Sequence, residues 1–252
     1  MNENKNQLRL DVLSVHIRDS LKYFAEKLTS MLGENLLSIT VVGSSLTEDF
    51  RPGRSDINTV LLLESQVINS LKPIASLAKS MSRKKISAPL LMTPSYIERS
   101  LDVFGVEFLD FQLTHQTILG DDPFADLTFK KKDVRLQCER ELKATLIRLR
   151  QGYIAAAANR KLVRDILIST AKGLAPLIRA IFWLKDIDRP NRAEQTFNKA
   201  AEQFSMDLNS LVAVEKWGHQ KIRPDENQID NTFKSIYSTV EQLAETVDKL
   251  EV

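Results

Sequence analysis

Hydrophobic positions in the first part of the chain follow helical spacing and then form short strand-like runs. Between residues 10 and 31, apolar side chains recur every three or four positions and Gly33 follows, which predicts an amphipathic helix with a C-terminal stop. Later apolar runs are predicted to be strands, at residues 37–42, 59–63, 89–92 and 106–113. Because mixed polar and apolar stretches separate these runs, the sequence indicates a small mixed β-sheet.

The pattern changes after residue 130, where helix-forming residues dominate. Long helical runs are predicted near residues 131–158, 160–185, 190–204 and 226–250. The last run has apolar residues at helical spacing and is predicted to close a helical bundle, with a homodimer seam as the alternative. The predicted fold class is therefore α+β, with a small mixed-sheet domain over residues 1–128 and a helical bundle over residues 129–252.

Composition excludes several classes of protein. The 252 residues include 35 basic and 33 acidic side chains, a formal charge of +2, which does not fit a general polyanion binder. The single cysteine, Cys138, and three widely separated histidines exclude a disulfide scaffold and a zinc module. Cys138 is predicted to be a small buried hydrophobe. No leader pattern or long apolar segment was found, which predicts a soluble, cytoplasmic protein with no membrane partner.

One segment carries a pattern with chemical meaning. An apolar strand ends at Gly43-Ser44-Ser45, and Asp56-x-Asn58 opens the next strand. Glycine at a strand end lets backbone N–H groups approach an anion closely, and serine hydroxyls add hydrogen-bond donors. Residues two apart in a strand face the same way, so Asp56 and Asn58 are expected to point together toward whatever Ser44 binds. The segment predicts a phosphate site beside candidate metal ligands.

These residues and their spacing resemble the nucleotidyltransferase superfamily related to polymerase beta, over residues 8–125. The helical remainder resembles, in architecture only, the C-terminal halves of small bacterial nucleotidyltransferases. The resemblance implies a metal-dependent enzyme that moves a nucleoside monophosphate from a nucleoside triphosphate to a hydroxyl acceptor, which the sequence does not identify. It also implies that Gly43, Ser44 and Ser45 bind the phosphates of the nucleotide.

The same resemblance implies a set of acidic residues that hold Mg²⁺ or Mn²⁺. Asp56 corresponds to the first carboxylate, Asn58 takes the position of the second, and the third is expected on a later strand. Glu107 and Asp110 are the candidates for the third, and in a strand only one of them could face the site. Glu107 is preferred, as a metal ligand and as a catalytic residue together with Asp56. Arg54 is expected either to steer phosphates or to be a solvated loop residue.

Asn58 departs from the acidic residue that the superfamily has at this position. A unit charge pair at ~4 Å is worth about 4 kcal/mol at an effective dielectric constant near 20, so an uncharged ligand changes the site strongly. Two alternatives to a fully active enzyme therefore remain open. One is a catalytically impaired nucleotide-binding regulatory or interaction protein, and the other is a structural helical partner protein.

A local concentration of positive charge lies at the start of the helical half. From Lys130 to Arg164 there are eleven basic and three acidic residues, so 11 − 3 gives +8. One interpretation is a solvated helix surface with intrahelical ion pairs. The other is a surface that holds a triphosphate or a polyanionic acceptor. The scarcity of aromatic residues there argues against stacking on single-stranded nucleic acid, so a nucleic-acid partner is not favoured.

Overall fold

A computed structural model describes residues 7–65, 67–157, 159–219, 222 and 224–252. The chain divides into two compact units: an α/β unit formed by Met1–Leu101 and Phe111–Thr128, and a helical unit formed by Asp102–Asp110 and Phe129–Val252. The α+β fold class predicted from the sequence is confirmed. The short segment Asp102–Asp110, which the sequence prediction assigned to the first domain, belongs to the helical unit.

The α/β unit is built around a sheet, and several of its helices share a core with the apolar side of that sheet. Its helices are α1 (Val15–Leu32), α2 (Val67–Ala75), α3 (Ala78–Arg83) and α4 (Pro94–Arg99). Its strands are β1 (Leu36–Val42), β2 (Asn58–Leu63), β3 (Leu90–Met92) and β4 (His115–Leu119). Helix α1 follows a 3-10 turn at Leu10–Val12 and stops at Gly33, whose φ of +53° ends the helical hydrogen bonding.

The four strands described form one mixed sheet of order β3-β2-β1-β4, in which β1 is central. Strand β1 pairs antiparallel with both β2 and β4, whereas β2 pairs parallel with β3. One face of the sheet is apolar and shares a core with α1, through buried residues such as Ile39, Leu61 and Leu28. The other face carries polar side chains, among them Thr40 and Thr117, whose hydroxyls lie 2.9 Å apart in a hydrogen bond.

The predicted strand at residues 106–113 is wrong. These residues form helix α5 (Gly105–Leu113), and the fourth strand is β4, directly after it. The buried positions Val106, Phe108 and Leu109 do not alternate as in a strand, because they follow the spacing of one side of a helix.

The helical unit contains α6 (Lys131–Ala156), α7 (Arg160–Leu184), α8 (Ala193–Phe204), α9 (Asn209–His219) and α10 (Glu226–Asp248). Helix α9 was not predicted from the sequence. The last predicted run does close the bundle, because the buried side of α10 belongs to the core shared with α6 and α7. Cys138 on α6 is fully buried in this core, as predicted.

Helix α7 is the most apolar of the long helices of this unit. By length and composition alone it could cross a membrane, although no such segment was predicted from the sequence. Half of its apolar window is buried inside the unit. Its buried residues, such as Leu167, Leu174 and Ile181, recur at helical spacing and lie in the core. That placement is typical of the central helix of a bundle.

Candidate nucleotide-binding site

The candidate site begins where β1 ends. Val42, the last residue of β1, pairs with Asn58 on β2 and with His115 on β4. The next residue, Gly43, has a φ of +77° and starts a short 3-10 turn, Gly43–Leu46. Its N–H donates to the carbonyl of Thr114 at 2.9 Å. This geometry turns the chain away from the sheet at a position where glycine is favoured.

The serines of this turn differ in exposure. Ser44 is exposed, whereas Ser45 is only 2% exposed and its Oγ has no hydrogen-bond partner among the described residues. A buried hydroxyl without a partner is uncommon and points to a group that the protein alone does not supply. Both serines were predicted to contact phosphates, and of the two Ser44 is the more accessible.

Asn58 is the first residue of β2, and Asp56 precedes that strand by two positions. Both are exposed, while Ile57 between them is 1% exposed and pairs with Ile86. The alternation means that Asp56 and Asn58 share one side of the chain, as the sequence predicted. A Cβ added to Gly43 would lie 4.0 Å from Nδ2 of Asn58, so the Asn58 amide sits next to the glycine turn.

The loop between the turn and Asp56 is held by its own hydrogen bonds. Nη1 of Arg51 donates to the carbonyls of Glu48 (2.7 Å) and Phe50 (3.2 Å), and its backbone N–H donates to Oγ of Ser55 at 3.0 Å. Arg54 lies in the turn of this loop and is exposed. The arrangement fixes the path of the loop that leads to Asp56.

The donor set at this place suits a metal ion that arrives with phosphates. It offers one carboxylate, from Asp56, and one neutral amide oxygen, from Asn58. Among the described residues no group of three or more His, Cys, Asp or Glu side chains could hold a metal on its own. Mg²⁺ is commonly bound through one or two carboxylates and completed by substrate phosphates and water, so these residues fit a magnesium–nucleotide complex.

Glu107 does not lie on a strand. It belongs to α5 and to the helical unit, where its Oε2 accepts a hydrogen bond of 2.6 Å from Nε2 of Gln137. Since Glu107 and Asp110 are three residues apart in a helix, the argument that they face opposite ways does not hold. Strands β3 and β4, which follow β2, carry no Asp or Glu. The third carboxylate implied by the resemblance is therefore absent from both strands.

Asp110, the second candidate for the third carboxylate, is held in an ion pair. Its Oδ1 lies 2.6 Å from Nε of Arg179, and the two side chains are only 17% and 11% exposed. Arg189 lies nearby and donates to the carbonyl of Leu109 at 3.0 Å. Burial lowers the pKa of Arg189, the charge of Asp110 opposes this shift, and the charge of Arg179 adds to it. Asp110 thus balances guanidinium charge inside the helical unit.

A histidine–aspartate pair beside the glycine turn was not predicted. Nε2 of His115, at the start of β4, lies 2.7 Å from Oδ2 of Asp122. Partial burial raises the pKa of Asp122, but hydrogen bonds to His115 and to the N–H of Phe124 outweigh it, so the net shift is downward. No sequence signal brings His115 and Asp122 together, because their contact depends on the turn at Gly120, whose φ is +72°.

The basic stretch at the start of the helical half is compensated in part. Among the described residues, seven of its eleven basic side chains form ion pairs with acidic residues of the same unit. The pairs include Arg135 with Glu139, Lys143 with Glu139 and Asp248, Arg148 with Glu141, and Arg160 with Glu226. This pattern supports the interpretation of a solvated helix surface with ion pairs.

Comparisons with known proteins are informative at the level of the fold. No protein-family profile matches the chain, and no curated protein matches it in sequence. Among solved structures, the chain is similar to the spectinomycin adenyltransferase AAD(9) from Enterococcus faecialis, crystallised with ATP and spectinomycin. The TM-score is 0.58 at 12% identity, over 88% of this chain and 98% of that chain. The chain therefore has a fold that is also found in a nucleotidyltransferase.

Proposed function

We propose that the α/β unit binds a nucleoside triphosphate at the Gly43 turn and that the protein transfers a nucleoside monophosphate to a hydroxyl of a small molecule. The observation that carries the proposal is that Asn58, at the start of β2, lies next to the Gly43 turn at the end of β1. Asp56 comes two residues earlier and is exposed like Asn58. The fold shared with an adenyltransferase that was crystallised with ATP and spectinomycin supports it.

In this proposal Ser44 and the backbone N–H groups of the turn bind phosphate oxygens. Asp56 and Asn58 would hold the Mg²⁺ that accompanies the triphosphate. Mg²⁺ supplies positive charge against the negative charge of the phosphates. The acceptor oxygen forms a bond to the α-phosphorus, the bond from that phosphorus to the bridging oxygen breaks, pyrophosphate leaves, and the hydroxyl proton passes to solvent. The role of Glu107 as a third carboxylate stays a prediction from the sequence.

A second candidate function is nucleotide binding without transfer. Two observations favour it: Asn58 stands where the superfamily has a carboxylate, and strands β3 and β4 carry none. At an effective dielectric constant near 20, each missing charge at ~4 Å removes about 4 kcal/mol of attraction to a unit positive charge. A site of this kind keeps the phosphate contacts of Ser44 and loses much of the metal binding that phosphoryl transfer needs.

Calorimetric titration and a transfer assay test both candidates. A nonhydrolysable ATP analogue is titrated with Mg²⁺ or with EDTA into wild type, Asp56→Ala and Asn58→Asp. Asp11→Ala is the matched control, because Asp11 is an exposed carboxylate elsewhere in the same unit. Transfer is followed as pyrophosphate release from MgATP in the presence of hydroxylated small molecules, including spectinomycin.

We expect Asp56→Ala to weaken Mg²⁺-dependent nucleotide binding at least tenfold, and Asn58→Asp to strengthen it, while Asp11→Ala has no effect. Pyrophosphate release by wild type supports transfer. Release by Asn58→Asp alone supports the second candidate. If no protein binds the nucleotide, or if Asp56→Ala binds it as wild type does, both candidates are wrong.

A further inference from the structure

The helical unit contains a cavity of about 560 Å³ between α5, α6 and α7. Every residue that lines it belongs to this unit. Its polar side chains are Glu107, Glu141, Thr145, Arg148, Ser169 and Thr170, and the rest of the wall is mainly apolar. Pockets that bind small organic molecules have volumes of roughly 300–1,000 Å³ and combine an apolar wall with few polar groups. The volume of this cavity lies within that range.

The charges of the wall do not balance. Two carboxylates and one guanidinium give a net charge of −1. Glu141 and Arg148 form a pair at 3.6 Å, and Nη2 of Arg148 also donates to Oγ1 of Thr145 at 2.9 Å. Glu141 also pairs with Arg140 at 3.3 Å, so of the two carboxylates at the cavity Glu107 is the one without an ion-pair partner among the described residues.

The carboxylate of Glu107 is held in place by a neutral side chain. Nε2 of Gln137 donates to Oε2 of Glu107 at 2.6 Å, and Oε1 of Gln137 accepts from the N–H of Val106 at 2.9 Å. Gln137 is 5% exposed and its bond to Val106 is buried, while Glu107 itself is exposed at the cavity wall. Because the buried amide already fixes this carboxylate, little further rotational freedom is lost when the carboxylate accepts hydrogen bonds from a ligand.

Helix α7 gives the opposite wall its shape. Gly173 and Pro176 both line the cavity. Pro176 has no N–H to donate to the carbonyl of residue 172, so α7 lacks one backbone hydrogen bond in this turn. Gly173 leaves room, because a Cβ added there meets no atom within 4 Å. Ser169 and Thr170 place hydroxyls one turn earlier on the same side of α7.

We propose that this cavity binds a small molecule that carries a protonated amine, with the ammonium group on Glu107 and the body of the molecule against α7. The charge-assisted hydrogen bond to the carboxylate supplies specificity for a cation. The hydroxyls of Ser169 and Thr170 accept or donate bonds to polar groups of the ligand. The site lies wholly in the helical unit, and its assignment does not depend on nucleotidyl transfer.

Two probes of the same shape and different charge test the proposal. Trans-1,4-diaminocyclohexane is the cationic probe and trans-1,4-cyclohexanediol is the neutral one. Their binding is measured by chemical-shift changes in 1H–15N spectra of the full chain, without nucleotide and without metal. We expect the diamine to bind with a Kd at least tenfold below that of the diol, which corresponds to about 1.4 kcal/mol.

Two variants test separately the charge of Glu107 and the volume of the cavity. Glu107→Gln keeps an acceptor for Gln137 and is expected to raise the Kd of the diamine at least tenfold. Glu139→Gln is the matched control, because Glu139 lies on α6 and does not line the cavity. Gly173→Leu fills the cavity without changing charge, and we expect it to abolish binding of both probes while it raises the melting temperature, since glycine is a poor helix former.

Three results overturn the proposal. The first is equal affinity for the diamine and the diol, or no binding of either. The second is unchanged diamine affinity in either Glu107→Gln or Gly173→Leu. The third comes from titrating Glu107→Gln with the ATP analogue and Mg²⁺: loss of nucleotide binding with unchanged diamine binding assigns Glu107 to the metal. Asp56→Ala is expected to bind the diamine as wild type does. A failure of the proposed nucleotide site can therefore be told apart from a failure of this cavity.

Discussion

Gly120 is the glycine at which replacement by alanine is expected to lower the free energy of unfolding the most. A Cβ at this residue would lie 1.9 Å from the carbonyl oxygen of Leu37 and 3.1 Å from Cα of Ser38. Since contacts of a real Cβ stay above 3.0 Å, the backbone at the end of β4 must move away from β1 by at least 3.0 − 1.9 = 1.1 Å. Such a shift also disturbs Arg9, whose Nη2 donates to the carbonyl of Gly120 at 2.7 Å.

Backbone conformation adds a second cost for Gly120→Ala. The φ of +72° is left-handed, which costs a residue with a Cβ about 1–2 kcal/mol. Overpacking of a tight contact typically costs about 1–3 kcal/mol more. We therefore expect Gly120→Ala to lower the free energy of unfolding by about 2–5 kcal/mol.

Gly53→Ala is the matched control for this prediction. Gly53 has a φ of +77°, but a Cβ there meets nothing within 4 Å. We expect it to lose only the conformational part, about 1–2 kcal/mol. Urea unfolding of both variants, followed by far-UV circular dichroism, measures the difference. If Gly120→Ala is no less stable than Gly53→Ala, the close approach of Gly120 to β1 is refuted.

Three further predictions follow from charged and reactive groups. Asp110→Asn leaves the largely buried guanidinium of Arg179 unpaired and should lower the free energy of unfolding by about 3 kcal/mol in urea titrations; an effect under 1 kcal/mol contradicts the pairing. Partial burial raises the pKa of Asp122 in the folded state, but the hydrogen bond to His115 lowers it, and the net shift is downward. The contribution of Asp122 to the free energy of unfolding should therefore be complete above the ordinary pKa of about 3.9 and disappear as the pH falls below that value. The stability difference between wild type and Asp122→Asn should therefore be largest near pH 6 and shrink toward pH 3, and a difference independent of pH is the contrary result. Burial, with a smaller contribution from Glu107, raises the pKa of the Cys138 thiol to about 12, so iodoacetamide at pH 8 should label it only after unfolding in urea.

The local part of the candidate site could be predicted from the sequence because its signals are local. Gly43 and Ser44 directly follow one apolar run, and Asp56 and Asn58 come at the start of the next, so the two runs are recognised as strands from short-range patterns. The pairing of these strands brings Asn58 to the end of β1. The ion pair of Asp110 with Arg179 could not be predicted in this way. Those residues are 69 positions apart, and only the packing of α5 on α7 makes them partners.

The error at residues 106–113 has a physical cause that the sequence does contain. Alternation of Val106 and Phe108 resembles a strand, but it fails at Asp110 and at Gln112, which a strand would place on the same side. Helical spacing accounts for the buried set with no exception. A short apolar run is ambiguous between the two structures, and here packing within the helical unit decides for the helix.

The division of α5 between the two units sets a limit on how the chain can be cut. A fragment that ends at Thr128 removes Val106 and Leu109 from the core that they share with Val134 and Leu142. The remaining fragment, from Phe129 onward, would expose that apolar surface and lose the anionic partner of Arg179. The helical half is thus a discontinuous domain, so exchange of domains between related chains must carry residues 102–110 along with the C-terminal part.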